Sequence, residues 1–137
     1  FRYDMTDRVS GATILYIEDN PDNRLLIRRV MQAEGYRFLE AANALEALRS
    51  IQVHRPDLIL MDINLPGIDG YTLTAKLKAA PQFARIPIIA MTANVMKGDR
   101  ERTLQAGCDG YIQKPVDIDT LPEQINYFLR EALRADN

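Results

Sequence analysis

Short apolar runs rich in β-branched residues alternate with segments of helical periodicity along the chain, and that alternation constrains its fold most. Thr13 to Ile17 is the first run. Asn20-Pro21 then supplies a helix cap and a first helical residue whose missing N–H costs nothing. Leu25, Leu26, Val30 and Met31 recur at helical spacing until Gly35. Tyr36 to Glu40 reads as a second strand, and Asn43 caps a second helix with Leu45, Leu48 and Ile51 as its apolar stripe. Leu58 to Met61 is apolar on both faces, as expected of a central parallel strand covered by helices on both sides. Pro66, Gly67 and Gly70 mark a loop before the helical run Tyr71 to Ala80. Ile86 to Met91, a polar helix Lys97 to Ala106, a short strand Gly110 to Ile112 and a final helix Leu121 to Ala135 complete the series. Ile125, Phe128, Leu129 and Ala132 are the expected inward residues of that last helix. Five strands alternating with five helices predict right-handed crossovers and a doubly wound parallel α/β sheet.

Composition narrows the function classes. With 17 Lys plus Arg against 19 Asp plus Glu, the formal charge of −2 lacks the basic excess of a nucleic-acid-binding domain. The one cysteine, Cys108, cannot form an internal disulfide. No apolar run approaches the ~20 residues of a membrane span, and Phe1 to Ser10 is unlike a secretory signal. A soluble, cytoplasmic domain over residues 12–135 is expected, with a flexible segment 1–11 and a tail 136–137.

In a sheet of this kind chemistry gathers at the carboxyl ends of the strands. Those ends are polar here: Glu18-Asp19 after the first strand, Asp62 after the third, Thr92 after the fourth, and Lys114-Pro115 after the fifth. Each residue also has an ordinary structural reading. Glu18 and Asp19 suit a helix N-terminus, Asp62 a turn, Thr92 a cap, and Lys114 the surface. Together, three crowded acids need compensating cations, for which Lys114 and a divalent ion such as Mg²⁺ qualify. A carboxylate beside Mg²⁺ and a lysine is the arrangement for phosphoryl transfer onto aspartate, and a nearby hydroxyl such as Thr92 would sense the product.

Ile17-Glu18-Asp19-Asn20, Leu60 to Gly67 (LMDINLPG), Met91-Thr92-Ala93-Asn94 and Gly110 to Pro115 (GYIQKP) resemble, in order and spacing, the receiver domain of two-component response regulators. The resemblance covers roughly Ala12 to Leu133 and implies the flavodoxin-like strand order 2-1-3-4-5. It implies that Asp62 is the phosphoacceptor, and that Glu18, Asp19, Asp62 and the backbone carbonyl of Asn64 organise Mg²⁺. Lys114 would contact the phosphoryl group, Thr92 would be the switch hydroxyl, and Tyr111 the aromatic residue that follows it. A cis Lys114-Pro115 bond is also implied. The implied partners are a histidine kinase or histidine phosphotransfer protein and a downstream protein target, without direct contact to nucleic acid or membrane. The fourth helix, fifth strand and fifth helix would form a signalling and homodimer surface. The chain would then be no enzyme in its own right, beyond self-catalysed phosphoryl transfer and autodephosphorylation. It would be either a single-domain regulator or a receiver excised from a hybrid kinase.

Beyond this set, Asn64 and Asn94 are candidates for tuning the phosphate lifetime, each with the plain alternative of a loop amide. His54 reads as a surface residue and Cys108 as a small packing residue. Glu123, Tyr127 and Arg130 are candidate outer-face contacts of the last helix. The competing reading is a small Mg²⁺-dependent phosphohydrolase working through an aspartyl phosphate. It calls for a second acid two positions after the first, where this chain has Asn64. A flavin carrier would need a Ser/Thr/Gly-rich phosphate loop after the first strand, where the acidic pair Glu18-Asp19 stands instead.

Overall fold

Five parallel strands form one sheet in the order β2-β1-β3-β4-β5. The strands are β1 (Thr13–Ile17), β2 (Arg37–Ala41), β3 (Leu58–Asp62), β4 (Ile88–Thr92) and β5 (Gly110–Gln113). The crossover helices are α1 (Pro21–Ala33), α2 (Ala44–His54), α3 (Gly70–Ala79) and α4 (Lys97–Ala106), and α5 (Leu121–Ala135) closes the chain. The computed structural model describes residues 11–93 and 97–135. The expected N-terminal segment (apart from Gly11), Asn94 and the tail 136–137 fall outside the described residues, as do the side chains of residues 97–99 and 135. Among the described residues no helix is long and apolar enough to cross a membrane.

The strand order is the one expected, and it follows from where the apolar residues point. Successive strand residues face opposite sides of the sheet. Leu15, Ile17, Ile59, Met61, Ile88 and Ala90 therefore pack with Ala47, Ile51, Leu73 and Leu77 of α2 and α3. Ile14, Tyr16, Leu58, Leu60, Ile89 and Met91 pack with Ile27 and Met31 of α1 and Ile125 and Leu129 of α5. All five residues of β3 and of β4 are buried, as the unbroken apolar run of β3 requires. Each such buried Leu or Ile contributes about 1.5–3 kcal/mol relative to exposure.

Register sets the site. Ile17 pairs with Met61 and Asp62 with Met91, so Glu18 follows β1 at the level of Asp62. Thr92 pairs with Gln113, so Lys114 leaves β5 beside the end of β4. The Asn20 carboxamide caps α1 by accepting from the Asp22 and Asn23 amides. Asp69 caps α3 through the Thr72 amide.

Two helix stripes and one outer-face residue differ from expectation. In α1, Leu25 and Leu26 are 37% and 46% exposed, whereas Met31 faces inward as expected, together with Ile27. In α2, Leu45 is 59% exposed while Ala44, Ala47 and Ile51 are buried. Small residues on that face let the helix lie close to the sheet, which a count of large apolar side chains does not register. In α5, Arg130 is 8% exposed and not an outer-face contact, while Glu123 and Tyr127 are exposed as expected. Arg130 stands at the edge of the buried arc, where a long side chain lies along neighbouring surface and becomes covered.

Candidate functional site

Glu18, Asp19 and Asp62 bring one carboxylate oxygen each to within 4.8 Å of one another at the carboxyl end of the sheet. Glu18 and Asp62 are buried, and Asp19 is exposed. The Lys114 ammonium donates to Asp62 Oδ1 at 3.0 Å and lies 3.7 Å from Glu18 Oε1. Strands β1, β3 and β5 thus each deliver part of one charge cluster. The Asn64 amide donates to Asp62 Oδ1 at 3.1 Å, which fixes the carboxylate to the loop that follows it.

That loop depends on Gly70. A Cβ at this position would stand 2.8 Å from the Asp62 carbonyl oxygen and 2.8 Å from the Ile63 Cα, so only glycine lets α3 begin against the Asp62–Ile63 backbone. The Gly70 amide donates to the Ile63 carbonyl at 3.1 Å and closes the turn.

Glu18 is held from several sides. It accepts from the Tyr16 hydroxyl at 3.2 Å and from the Asn23 carboxamide at 3.1 Å, both at Oε1. The Asn20 amide reaches Oε2 at 3.3 Å, and the Arg24 guanidinium donates to the Glu18 carbonyl at 2.7 Å. Burial, then the adjoining Asp62 and Asp19 carboxyls, push Glu18 above the usual carboxylate range, against the opposing Asn23 amide. Burial and the Glu18 charge push the Tyr16 phenol well above its ordinary value, so Tyr16 remains a neutral donor. Tyr16 and Asn23 escaped the sequence reading. Tyr16 looked like one more strand apolar residue, although its two-residue spacing from Glu18 places both on one face.

Thr92, buried at the end of β4, lines a cavity of about 420 Å³ together with Ile63, Asn64, Asp69, Tyr71 and Arg102. Lys114 lines a different cavity, of about 320 Å³, with Tyr16, Asn23 and Pro115. Each cavity is linked to the Asp62 carboxylate by a lining residue that donates to it, Asn64 in the first and Lys114 in the second. The Lys114-Pro115 peptide bond is cis. Tyr111 is half-buried against the core, with the Arg100 guanidinium 5.6 Å from its ring centre. His54 is exposed at the end of α2. Cys108 is buried beside Thr74, and burial pushes its thiol up, which suits packing and not nucleophilic attack.

Comparison with known proteins identifies relatives of this arrangement. The model of the response regulator receiver domain family matches residues 14–126. The polar-differentiation response regulator DivK of Brucella anthropi is 44% identical over 120 residues, covering 88% of this chain and 98% of that protein. DivK of Brucella ovis is 42% identical over the same shares. Among solved structures, the receiver domain of the sensor histidine kinase PA1611 from Pseudomonas aeruginosa PAO1 is 40% identical, with a TM-score of 0.79. The match covers 88% of this chain and 99% of that one, which was solved with a magnesium ion coordinated in its active site cleft. The chemotaxis response regulator CheY4 of Vibrio cholerae is 25% identical with a TM-score of 0.82, over 87% of this chain and 99% of the other.

Proposed function

This chain belongs to the response regulator receiver family of two-component signalling, and from that premise we propose that Asp62 accepts a phosphoryl group from a phosphohistidine. The donor would be a histidine kinase or a histidine phosphotransfer protein, and the acting unit residues 12–135. The observation that carries the reading is the charge imbalance at the strand ends, where three carboxylates meet one ammonium.

That imbalance is also the test of fit for magnesium. Hard oxygen donors lie within 4.8 Å of one another, and Glu18 is pushed toward its neutral form by burial first and by its acidic neighbours next. A divalent cation removes that repulsion, so the residues fit one. Glu18, Asp19, Asp62 and the Asn64 backbone carbonyl would hold it. When bound, magnesium neutralises charge on the phosphoryl oxygens. The chain's own residues do the rest. The Asp62 carboxylate oxygen forms the new bond to phosphorus while the donor's P–N bond breaks. That electron pair goes to the imidazole, which leaves neutral because its other nitrogen carries a proton. Lys114, already 3.0 Å from Asp62 Oδ1, is placed to follow the charge as it moves onto the phosphoryl oxygens. Water later cleaves the acyl phosphate and returns the carboxylate and phosphate.

Thr92 supplies a buried hydroxyl at the end of β4, on the wall of the 420 Å³ cavity, suited to the role of switch. Tyr111, on β5 beside α4, would follow it and alter the surface formed by α4, β5 and α5 for a downstream protein or a second copy. The reading holds equally for a stand-alone regulator and for a receiver within a larger kinase.

The test is incubation with Mg²⁺ and acetyl phosphate, read by intact mass. The wild type is expected to gain one phosphoryl group that is stable in acid and labile in base. Asp62→Asn, and wild type without divalent ions, are expected to gain none. Absence of uptake by the wild type would overturn the proposal, as would steady turnover of a simple phosphomonoester at enzyme-like rates, which marks a phosphohydrolase.

A further inference from the structure

The cavity that Asn64 and Thr92 line beside Asp62 carries a cation that the phosphoacceptor reading leaves unused. Arg102, on α4, places its guanidinium carbon 4.6 Å from the ring centre of Tyr71 on α3. The Tyr71 hydroxyl in turn lies 3.4 Å from the hydroxyl of Thr103, which is buried on α4 next to Arg102. The ring is thus attached to α4 at its edge and to Arg102 at its face. This gives the exposed guanidinium a favoured seat on the ring face. That place is the wall of the 420 Å³ cavity that Arg102 shares with Asn64 and Thr92, the residues on either side of the Asp62 end.

The position matters because of what surrounds it. A phosphodonor is an anion and must approach a cluster of three carboxylates, whose partner ammonium, Lys114, lines the other cavity. Screening leaves little of an exposed charge's field beyond about 8 Å at physiological salt, so a cation assists entry where it lines the cavity itself. Arg102 is there and is permanently charged. Its field is already felt at the cavity wall: the Thr72 amide chiefly, and Arg102 in smaller part, hold the Asp69 carboxyl below its ordinary range. Arg100, two residues earlier on the same helix, turns instead to Tyr111, so the two arginines serve different flanks of α4.

We propose that Arg102, held by the face of Tyr71, is a positioning residue that draws anionic phosphodonors into the cavity that Asn64 and Thr92 line beside Asp62. The inference rests on Asp62 being the phosphoacceptor. A rim charge of this kind acts on the rate of encounter and on its salt dependence more than on the bond-making step.

The measurement is the second-order rate of phosphoryl uptake from acetyl phosphate in saturating Mg²⁺, by rapid quench and intact mass, across a series of ionic strengths. Arg102→Gln is expected to slow uptake about threefold to tenfold at low salt and to flatten the salt dependence. Arg102→Lys keeps the charge and is expected to retain most of the salt slope. Tyr71→Leu, which removes the ring, is expected to behave like Arg102→Gln. A wild-type rate and slope in Arg102→Gln would overturn the inference while leaving Asp62 as acceptor intact. So would an equal loss of slope in Arg102→Lys, which marks a packing role. A wild type that takes up no phosphoryl group at all overturns the underlying reading together with this one.

Discussion

Two lysines at opposite ends of the sheet make a direct comparison. Lys78, on α3, spends all three ammonium protons at the amino end of β4 and β5. It donates to the Ala84 and Ile86 carbonyls at 3.1 and 2.9 Å and to Asp109 Oδ2 at 2.8 Å. The same Asp109 oxygen accepts from the Ile88 amide at 2.8 Å. One cation meets one carboxylate, and the backbone takes up the remaining donors. Lys114 is similarly covered, its side chain 24% exposed against 19% for Lys78, yet it faces Asp62 and Glu18 with Asp19 close by. The lesson is one of stoichiometry. Both ends hold a close Lys–Asp pair, but among the described residues Lys114 meets a cluster of three carboxylates where Lys78 meets one.

Breaking each pair should therefore have opposite consequences. Lys114→Met is expected to slow phosphoryl uptake about 100-fold, the usual cost of losing one donor that stabilises developing charge. Rapid-quench rates would check this, and a wild-type rate would remove Lys114 from the chemistry. Lys78→Met is expected to leave that rate unchanged and to lower the unfolding free energy by about 1–2 kcal/mol in a urea titration, discounted because Asp109 is 45% exposed. A smaller effect has the opposite sign. Asp62→Asn should raise stability without divalent ions by about 0.5–1 kcal/mol, because it relieves like-charge crowding, whereas Asp109→Asn should lower it.

The smallest expected effect concerns acid. Arg28 donates to both Glu40 oxygens and holds that carboxyl below its ordinary value of 4.5. The folded state then binds fewer protons than the unfolded chain in the window just below 4.5. The contribution of the pair is complete above that value and is lost as pH falls through the lower folded one. Glu40→Gln should flatten the pH dependence of stability below 4.5 and leave it unaltered above 6. Glu18 is pushed the other way, so in metal-free protein its ionisation costs stability as pH rises.

Much of this organisation could be read from the sequence because it follows from chain order. Alternating strands and helices with right-handed crossovers leave few topologies, and residues placed after successive strands must then share one edge. That logic placed Glu18, Asp19, Asp62 and Lys114 together. It said nothing about pairs made by helix packing. Tyr71 and Arg102, or Lys78 and Asp109, are separated by 31 residues in each case and meet only because α3 lies beside α4 and the start of β5. The inward faces of α1 and α2 are only partly legible for a related reason. Large residues such as Leu25 and Leu45 set the sequence pattern, but close approach to the sheet selects Ala44, Ala47 and Ile27 instead. Tyr16 shows the third kind of miss, in which an apolar strand residue carries one polar atom and that atom serves Glu18.

The central claim is that the acidic cluster exists to phosphorylate Asp62, and trapping the product by borohydride reduction tests it most directly. An aspartyl phosphate is reduced to homoserine, so peptide mapping after Mg²⁺ and acetyl phosphate treatment reads the modified position itself. The account predicts homoserine at position 62 and at neither Glu18 nor Asp19, and only when the divalent ion is present. Reduction at another carboxylate, or the same yield in Asp62→Asn, would contradict it.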